Sequence, residues 1–395
     1  MKVAFFTYGM LEQGGGLEKF FIEMTSELVK RYPSLSISII TLSEQRTESL
    51  QKILSIYYLK KMPIKNVHRE SLENILLKLG KVNYIKCNSF KEVKEKLKLF
   101  DVVYTKNELL ELILLKIFNY KELPPIVVGM HTPVFIPNPL NKHDRLHNFL
   151  YTGFFYKFLL KGIKMIHVIN EDDLRLFKKK FNLENIKKVL LPFKQKELIK
   201  QDFTKKNEVF NILFVGRLVP QKGIDIFIKC IVRLQKEKEF RFFSFCIAGS
   251  GDDEFTYKIK DLTQKYSNVK YLGHVSNDKI DNLYNWADVV MVPSRFETAN
   301  YVSLEAGSHE RIVVVSDIPG PREIIQNNET GFLVDVNAEI FCEKIKYIFD
   351  LKRNNEKEFL SIGRKAREYI KFKFLPEKIY EKFNRMLKES VENKN

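Results

Sequence analysis

The sequence has few cysteines and lacks a long apolar run. Its four cysteines lie far apart and form no CxxC pair. This argues against a disulfide framework and a zinc site, and favours buried thiols in a reducing compartment. No apolar run of about 18 residues is present, so we expect no transmembrane helix. The N-terminal segment MKVAFFTYGM is too short for a signal peptide and has no cleavage site. We therefore interpret it as a first strand and expect a cytoplasmic protein.

Patterns typical of common cofactors and of nucleic-acid binding are also missing. The glycines at 14–16 do not form GxGxxG, so a nicotinamide or flavin site is not supported. The acidic pairs 172–173 and 252–253 fall at a helix start and in a loop and do not form a DxD metal motif. The basic stretches lack a base-stacking platform, and no RRM, KH or helix-turn-helix pattern occurs. We expect no cofactor, no metal and no nucleic-acid partner.

Short apolar strands alternate with segments of helical periodicity along the whole chain, which is typical of parallel α/β architecture. Ten strands are predicted, at 2–9, 36–43, 101–107, 125–131, 165–170, 210–218, 243–251, 269–275, 288–294 and 312–318. A first helix is predicted from Leu17 to Lys30. A chain of 395 residues is long enough for two domains.

Each half of the chain is predicted to be a Rossmann-like domain. The charged stretch 191–210 has little periodicity and fits a linker between domains. We predict an N-terminal Rossmann-like domain at 1–195, a C-terminal Rossmann-like domain at 205–375, and a helix at 376–395 that crosses back to the first domain. Two such domains that face each other would place the carboxyl ends of their strands around one cleft, where ligands of open α/β sheets bind.

Positive charge is concentrated in the first half. Residues 1–200 hold 34 Lys and Arg against 20 Asp and Glu, so they carry most of the net charge of +17. This indicates an anionic partner, a membrane surface or a nucleic acid. A lysine-rich composition is the alternative, but it would load both halves equally, which is not the case. Two apolar stretches with flanking lysines, 89–100 and 149–166, are candidates for membrane contact. Both also fit ordinary helices on a sheet, and burial in the core is favoured for 149–166.

Two motifs in the second half suggest a diphosphate and its nucleoside. In VGRLVPQKG, Arg217 and Lys222 follow a strand, and a guanidinium fork beside an ammonium suits a diphosphate. Two merely exposed basic residues are the alternative. In IAGSG, Gly249 and Gly251 let the backbone come close to a ligand, although a plain tight turn would use the same residues.

The stretch SRFETANYVSLEAGSHE places Glu297 before a predicted helix and Glu305 about two turns into it. The polar residues 298–300 are predicted to start this helix, whose free N–H groups would bind an anion. Glu297 is then suited to accept hydrogen bonds from sugar hydroxyls and Glu305 from ribose hydroxyls. The alternative is that Glu305 faces solvent.

In the first half, the glycines at 14–16 form the turn from the first strand to the first helix and suggest a close approach to a ligand. His131 ends a strand, so we favour a functional role at the cleft over a structural one.

These motifs together resemble the GT4 glycosyltransferases of the GT-B fold. The resemblance runs from residue 1 to about 335 and includes GGxE at 15–18, His131, VGRLxxxKG, AGxG, LGHVS, the Glu297–Glu305 pair and GPREII. It implies metal-independent transfer of a sugar from a UDP- or GDP-sugar, with retention of configuration, to a glycan, a lipid-linked molecule or another hydroxyl acceptor.

By this resemblance, Arg217 and Lys222 hold the diphosphate, Glu305 binds the ribose and Glu297 the donor sugar. Gly15 and Gly16 border the phosphates, and His131 contacts the sugar near the reacting carbon. The implied catalytic residues are His131, Glu297, Arg217 and Lys222. The implied donor-binding residues are Gly15, Gly16, Gly249, Gly251, Val275, Thr298, Ala299, Asn300, Tyr301, Val302 and Glu305.

The sequence departs from the family in the loop after Glu297. Thr298, Ala299 and Asn300 stand where glycines are usual, which leaves the identity of the donor sugar open. No carboxylate of the first domain is an obvious nucleophile, so we favour front-face attack, in which the leaving phosphate helps to deprotonate the acceptor. Competing readings are an epimerase or phosphorylase of the same fold, a nucleic-acid-binding protein, and an inactive subunit that binds donor or partner only.

Overall fold

A computed structural model describes residues 1–8, 16–43, 72–195 and 209–392 of the chain. The chain divides into two compact units. The first comprises Met1–Leu190 together with Glu377–Asn395, and the second comprises Leu191–Pro376. Gly15 lies outside the described residues, as does most of the predicted linker.

The first unit is built on a parallel sheet. Among its described residues, seven strands pair in the order β3-β2-β1-β4-β5-β6-β7. Their bounds are β1 Lys2–Phe6, β2 Ser36–Leu42, β3 Asn83–Cys87, β4 Val102–Lys106, β5 Ile126–Gly129, β6 Met165–Val168 and β7 Ile186–Lys188. The register pairs Phe5 with Ile39 on one side and with Tyr104 on the other. The strand order therefore reverses direction between β1 and β4, which is the arrangement of a doubly wound sheet.

Helices of the first unit cover this sheet with their apolar faces. Their bounds are α1 Gly16–Arg31, α2 Leu72–Leu79, α3 Phe90–Leu97, α4 Leu109–Ile117, α5 Lys142–Thr152, α6 Phe154–Leu160 and α7 Glu171–Leu176. Short turns of other helical types span Tyr120–Glu122 and Phe177–Phe181. In α3, Val93 and Leu97 are buried in the core, as expected of an ordinary helix on a sheet.

The second unit repeats the design with six described strands in the order β10-β9-β8-β11-β12-β13. The strands are β8 Phe210–Val215, β9 Phe243–Ala248, β10 Val269–Gly273, β11 Val289–Val292, β12 Ile312–Ser316 and β13 Phe332–Val334. The helices are α8 Ile224–Leu234, α9 Asp253–Lys265, α10 Asn277–Trp286, α11 Tyr301–Ser308, α12 Pro319–Arg322, α13 Ala338–Asn354 and α14 Glu356–Lys373. Short 3₁₀ turns occupy Pro220–Lys222 and Lys238–Phe242. The order reverses between β8 and β11.

The predicted fold class is confirmed: two Rossmann-like domains with parallel sheets. All ten predicted strands are present, and each ends before the predicted residue because the chain leaves the sheet for a loop. β8, for example, stops at Val215 because Gly216 follows with a φ of 156°. The sequence analysis missed β3, β7 and β13. All three lie at sheet edges. β3 and β7 carry exposed polar residues, and β13 is apolar but only three residues long.

Residues 149–166 do not form one buried helix. Gly153 separates α5 from α6, with extended backbone at its φ of −84° and ψ of 177°. Tyr156 and Leu160 are buried, but Phe149 is 73% exposed and Phe154 is 85% exposed. The preference for burial in the core is therefore wrong for these phenylalanines. None of the described helices is long and apolar enough to cross a membrane.

The last helix, α15 Pro376–Glu392, packs on the first unit. Its residue Phe383 is fully buried, with its ring centroid 5.2 Å from that of Tyr104 and 6.3 Å from that of Phe5. Ion pairs join both ends of the helix to the unit, Arg31 with Glu377 at 3.3 Å and Lys187 with Glu389 at 2.9 Å.

We expect Phe383→Ala to destabilise the first unit by about 3 to 5 kcal/mol, because it leaves a cavity among aromatic rings. Chemical denaturation followed by hydrogen exchange at β1 and β4 measures this change. Lys382→Ala on the exposed face of α15 is the matched control and should change stability by less than about 0.5 kcal/mol. Equal stability of the two variants would show that α15 does not stabilise the unit through this contact.

Candidate functional site

The loops after β8, β9, β11 and β12 hold most of the residues singled out from the sequence. In the sheet, β8 lies between β9 and β11, and β12 follows β11. Because all four strands are parallel, their carboxyl ends meet at one edge of the second sheet. The motifs around Arg217, Gly249 and Glu297 are thus brought to one place by topology.

Lys222 and Glu297 form an ion pair across two of these loops. Lys222 Nζ donates to Glu297 Oε1, and Ser294 Oγ donates to the same oxygen at 3.0 Å. The Glu297 side chain is only 8% exposed, so its carboxylate depends on these donors. Behind the pair, Gly223 has a φ of 71°, and a Cβ there would lie 1.9 Å from the carbonyl oxygen of Pro293. Only glycine lets the two loops come this close.

Arg217 lies beside this pair but is exposed to solvent. Its Nη2 donates to Gln221 Oε1 at 3.2 Å, and Gln221 Nε2 donates to the carbonyl oxygen of Phe296 at 3.4 Å. Gln221 therefore links the side chain of Arg217 to the backbone just before Glu297. Arg217 and Lys222, the two cations singled out from the sequence, therefore lie at the same edge of the sheet.

Arg295, which the sequence analysis did not single out, fixes the same two loops. Its guanidinium grips both oxygens of Asp225 at 2.7 Å and donates to the carbonyl oxygen of Pro220 at 2.5 Å. Burial by itself would raise the pKa of the Asp225 carboxyl. The hydrogen bonds and charge of Arg295 oppose this effect and contribute to a pKa that lies below the ordinary value. The position of Arg295 two residues before Glu297 was the only signal available in the sequence.

The loop 298–300 precedes α11 and is not part of it. The helix begins at Tyr301, and Asn300 is its N-cap, with Oδ1 accepting from the Ser303 N–H at 2.8 Å. The prediction that 298–300 start the helix is therefore corrected, and one N–H of the expected anion site is already bonded within the protein. Thr298 and Asn300 are buried, while Ala299, Tyr301 and Val302 are half-buried.

Gly320, in the GPREII motif, packs against the backbone of this loop. Its N–H donates to the carbonyl oxygen of Glu297 at 3.1 Å. A Cβ at Gly320 would lie 2.9 Å from the carbonyl carbon of Thr298, so a side chain there would displace the loop. The motif is structural, and it holds the chain at Glu297.

Glu305 is half-buried and held by a tyrosine from α10. Tyr284, itself fully buried, donates its hydroxyl to Glu305 Oε2 at 2.6 Å. Burial, followed by the negative charge of Glu305, raises the pKa of Tyr284 well above its ordinary value, so the hydroxyl remains a donor. The alternative that Glu305 simply faces solvent does not describe this arrangement. Nothing in the sequence pattern around Tyr284 revealed the contact.

A cavity of about 180 Å³ opens at the ends of β8 and β9. Three of the predicted donor-binding or catalytic residues line it, together with residues of the adjoining loops: Val215, Gly216, Arg217, Ala248, Gly249, Ser250, His274, Val275 and Ile280. Gly249 has a φ of 145°, and a Cβ there would lie 1.8 Å from the carbonyl oxygen of Gly216. Gly251 pairs with Leu218 in a short bridge at the cavity's side. The cavity is therefore formed by close backbone contact between two loops.

In the first unit, His131 follows β5 and is hydrogen-bonded into it. Asn107 Oδ1 accepts from the N–H groups of His131 and Thr132 at 3.1 and 3.0 Å. The His131 ring nitrogen Nε2 lies 2.7 Å from the Tyr104 hydroxyl. Burial, with the charges of His167 and Lys106, keeps the pKa of His131 well below its ordinary value, so the ring is neutral. Gly16 is the first residue of α1.

A second polar cluster at the ends of β1 and β4 was not found from the sequence. Lys106 is buried with its Nζ 3.0 Å from Glu108 and 3.2 Å from Glu111. Thr7 Oγ1 donates to Glu111 Oε1 at 3.2 Å, and burial raises the pKa of the Glu111 carboxyl. Within the described residues, no group of three or more His, Cys, Asp or Glu is placed to hold a metal ion.

Comparison with known proteins identifies the class to which the second unit is related. Residues 195–368, fewer than half of the chain, match the family described as "Glycosyl transferases group 1". The resemblance to glycosyltransferases is thereby confirmed for this domain.

Two curated relatives illustrate the similarity. A protein of Methanocaldococcus jannaschii described as an uncharacterized glycosyltransferase is 38% identical over 126 residues, 31% of this chain and 31% of the relative. The capsular polysaccharide biosynthesis glycosyltransferase CapM of Staphylococcus aureus is 32% identical over 192 residues, 47% of this chain and 48% of CapM. The chain thus spans less than half the length of these relatives.

Solved structures match over nearly the whole chain. HepE of Anabaena, solved with UDP and glucose, has a TM-score of 0.69 at 16% identity, over 98% of this chain and all of HepE. Sucrose-phosphate synthase of Thermosynechococcus elongatus has a TM-score of 0.71 at 16% identity, over 98% of each chain. At these identities the likeness shows the fold, which is GT-B.

We expect Arg295→Lys to lower the stability of the second unit by about 1 to 2 kcal/mol, because an ammonium cannot grip both oxygens of Asp225. Thermal unfolding measures the change. Arg233→Lys is the matched control, since the Arg233–Glu339 pair is about half exposed on both sides and should contribute little. If Arg295→Lys and Arg233→Lys unfold alike, the Arg295 contact does not fix the loops.

Proposed function

We propose that this protein is a retaining glycosyltransferase of the GT4 type. It would move a sugar from a UDP- or GDP-sugar to a hydroxyl of a glycan or lipid-linked acceptor, in the synthesis of cell-envelope glycans. The observation that carries the proposal is the grouping of Arg217, Lys222 and Glu297 at one sheet edge whose loops also form the cavity at Gly249. The binding of a nucleotide-sugar donor requires cations for its diphosphate and a carboxylate for the hydroxyls of its sugar.

In this proposal the cavity at the ends of β8 and β9 receives the nucleoside, and Val275 contacts the base from the cavity wall. Tyr284 orients the Glu305 carboxylate toward the ribose hydroxyls. In this proposal the base is bound by the loops after β8 and β9, and the ribose by Glu305 in the helix that follows Glu297.

The diphosphate is bound by Arg217 and Lys222. Lys222 has three N–H donors, of which one contacts Glu297 Oε1, and we assign the others to phosphate oxygens. Glu297 Oε1 already accepts from Lys222 and Ser294, so we assign Oε2 to a hydroxyl of the donor sugar. The ion pair would then orient the sugar and the phosphate at the same time.

The two cations would stabilise the charge that develops on the leaving diphosphate, which makes the proposed reaction independent of metal. The departing phosphate takes the proton of the acceptor hydroxyl as that oxygen bonds to the anomeric carbon on the same face. His131 of the first unit would contact the sugar near this carbon. Thr298, Ala299 and Asn300 bring side chains to a loop that is usually glycine-rich in the family, and so restrict which sugar fits.

The first test is donor binding and hydrolysis with a panel of UDP-, GDP- and ADP-sugars. We expect one donor to stabilise the protein by about 2.7 kcal/mol at 100 times its Kd and to release nucleotide slowly. Lys222→Met and Glu297→Gln should each reduce nucleotide release about 100-fold or more, because each removes a group that stabilises or orients the transition state. Thermal shift and a nucleotide-release assay give the two readouts.

Lys229→Met, on the exposed side of α8, is the matched control and should behave as the wild type. The same reactions with EDTA should proceed at an unchanged rate, and NMR of the product should show the anomeric configuration of the donor. A protein that no nucleotide sugar stabilises would contradict the proposal. Loss of activity in EDTA, or an inverted product, would contradict its metal-independent retaining mechanism.

We also propose that the first unit attaches peripherally to an anionic membrane, through a surface made of Phe149, Phe154, Phe155, Phe158, Lys157 and Lys161. The side chains of Phe155 and Phe158 are each 46% exposed, in addition to Phe149 and Phe154. Lys157, between Phe155 and Phe158, and Lys161, directly after α6, are both exposed. Exposed aromatic rings flanked by lysines match an interface of apolar tails and anionic headgroups.

We expect the double variant Phe149→Ser and Phe154→Ser to lose at least about tenfold in affinity for phosphatidylserine vesicles, since each ring adds buried apolar area. Co-sedimentation at low salt, with phosphatidylcholine vesicles in parallel, measures this affinity. Phe372→Ser, at a phenylalanine of α14 that is 74% exposed, is the matched control. Wild-type protein that stays in the supernatant with both vesicle types would rule out the proposed surface.

A further inference from the structure

We infer that Tyr104 and His167 hold His131 in the tautomer with its proton on Nε2, so that His131 Nδ1 acts as a hydrogen-bond acceptor. Tyr104 and His167 are then positioning residues that act through His131. The assignment of the tautomer depends only on the structure of the first unit. Its consequence for the reaction rests on the proposed function.

Three neighbouring strands place the three side chains in a row. Tyr104 lies in β4, His131 follows β5, and His167 lies in β6. The Tyr104 hydroxyl lies 2.7 Å from His131 Nε2 and 2.8 Å from His167 Nδ1. His167 Nε2 lies 2.7 Å from the carbonyl oxygen of Val189.

Gly129 in β5 provides the space for this arrangement. It pairs with His167 in the sheet, and the Tyr104 hydroxyl crosses over it from the next strand. A Cβ at Gly129 would lie 2.0 Å from the Tyr104 hydroxyl oxygen and 2.6 Å from His131 Nε2. A side chain at this position would therefore separate the three groups.

The direction of each hydrogen bond follows from the last contact of the row, that of His167 with the carbonyl oxygen of Val189. A carbonyl oxygen only accepts, so His167 Nε2 carries a proton and donates it to Val189. Burial lowers the pKa of His167 to about 4, so its ring is neutral near pH 7 and its Nδ1 carries a lone pair. This lone pair accepts the single hydroxyl proton of Tyr104.

The Tyr104 oxygen can then only accept from His131. His131 Nε2 must carry the proton that it donates, and because the His131 ring is neutral, its Nδ1 has a lone pair. Any group that lies against His131 Nδ1 must therefore be a donor. The packing secures the arrangement, since Tyr104 and His167 are fully buried and the Phe20 ring lies 4.4 Å from that of His131.

In the proposed reaction, a His131 fixed in this way accepts a hydrogen bond from a hydroxyl of the sugar or of the acceptor. It does not donate to the leaving phosphate through Nδ1. A neutral acceptor at this point orients a hydroxyl without adding positive charge beside the reacting carbon. Tyr104 and His167 thus determine that His131 Nδ1 binds a hydrogen-bond donor and not an acceptor.

The test is ring-nitrogen NMR of the full-length protein with ¹⁵N-labelled histidine. The spectra of His131→Gln and His167→Gln identify two of the seven histidines. In the wild type near pH 7 we expect His131 to show a protonated Nε2 and an unprotonated Nδ1 at the limiting shifts of a single tautomer. A proton on His131 Nδ1 would overturn the inference.

Tyr104→Phe should move the His131 shifts toward the averaged values of two exchanging tautomers, and Gly129→Ala should do the same by displacing the hydroxyl. Phe5→Leu, which loosens the packing 4.9 Å from the Tyr104 ring without removing a hydrogen bond, should keep the limiting shifts. Unchanged shifts in both Tyr104→Phe and Gly129→Ala would overturn the inference.

For the reaction, Tyr104→Phe should lower kcat about tenfold while KM changes less than about twofold. The variant loses the fixed direction of His131 near the reacting carbon but keeps the other contacts that bind the donor. An unchanged kcat with altered shifts would overturn the role in the reaction. Absence of any donor hydrolysis in the wild type would count against the proposed function, whereas the tautomer is decided by the spectra.

Discussion

The ion pair of Lys222 and Glu297 is the interaction on which the second unit's site depends. A carboxylate that is only 8% exposed is costly unless it is paired, and removal of one partner of such a pair typically costs about 3 to 5 kcal/mol. The pair joins residues 75 positions apart, so it holds the loop after β8 against the loop after β11. Gly223 makes this close approach possible, because a side chain there would collide with the carbonyl oxygen of Pro293 after β11. Gly320 does the same for the segment after β12, since a side chain there would collide with the backbone at Thr298. The same ion pair therefore provides charged groups of the site and fixes the packing of its loops.

Both units place their distinctive polar groups beside the point where the strand order reverses. In the second unit, Arg217 and Glu297 follow β8 and β11, the two strands that flank this point. In the first unit, Tyr104 and the cluster of Lys106 and Glu111 lie in or after β4, which pairs with β1 at the corresponding place. Adjacent loops turn to opposite faces of the sheet there, which leaves room for side chains and ligands. The repeated topology explains why two unrelated sets of side chains occupy equivalent positions.

The fold could be predicted from the sequence because ten of its strands are apolar runs that are buried in the sheets. The edge strands β3 and β7 were missed because they carry polar residues, and β13 was missed because it has only three residues. Within the site, Arg217, Lys222, Glu297 and Glu305 were found because each belongs to a motif at a strand end or helix start. The residues that support them were not found. Tyr284 and Arg295 acquire their roles from contacts between distant segments, and the local contact of Ser294 with Glu297 has no motif of its own. Likewise, Tyr104 and His167 look like ordinary strand residues until the register places them across Gly129. The exposure of Phe149 and Phe154 depends on the helix break at Gly153, which apolar periodicity alone does not show.

The surroundings of Glu297 and of His131 differ in charge, and the proposed reaction gives a reason. Around Glu297 the side chains are fully charged and compensate one another, and a donor diphosphate would bring further negative charge that Arg217 and Lys222 can meet. Around His131 the groups are kept neutral by burial, and aromatic rings of Phe5, Phe20 and Phe383 exclude water from the contacts. A leaving group that gains negative charge needs cations close by, whereas a sugar hydroxyl needs a neutral acceptor whose direction is fixed. Hence the neutrality of His131 is as much a requirement of the proposed chemistry as the charge of Lys222.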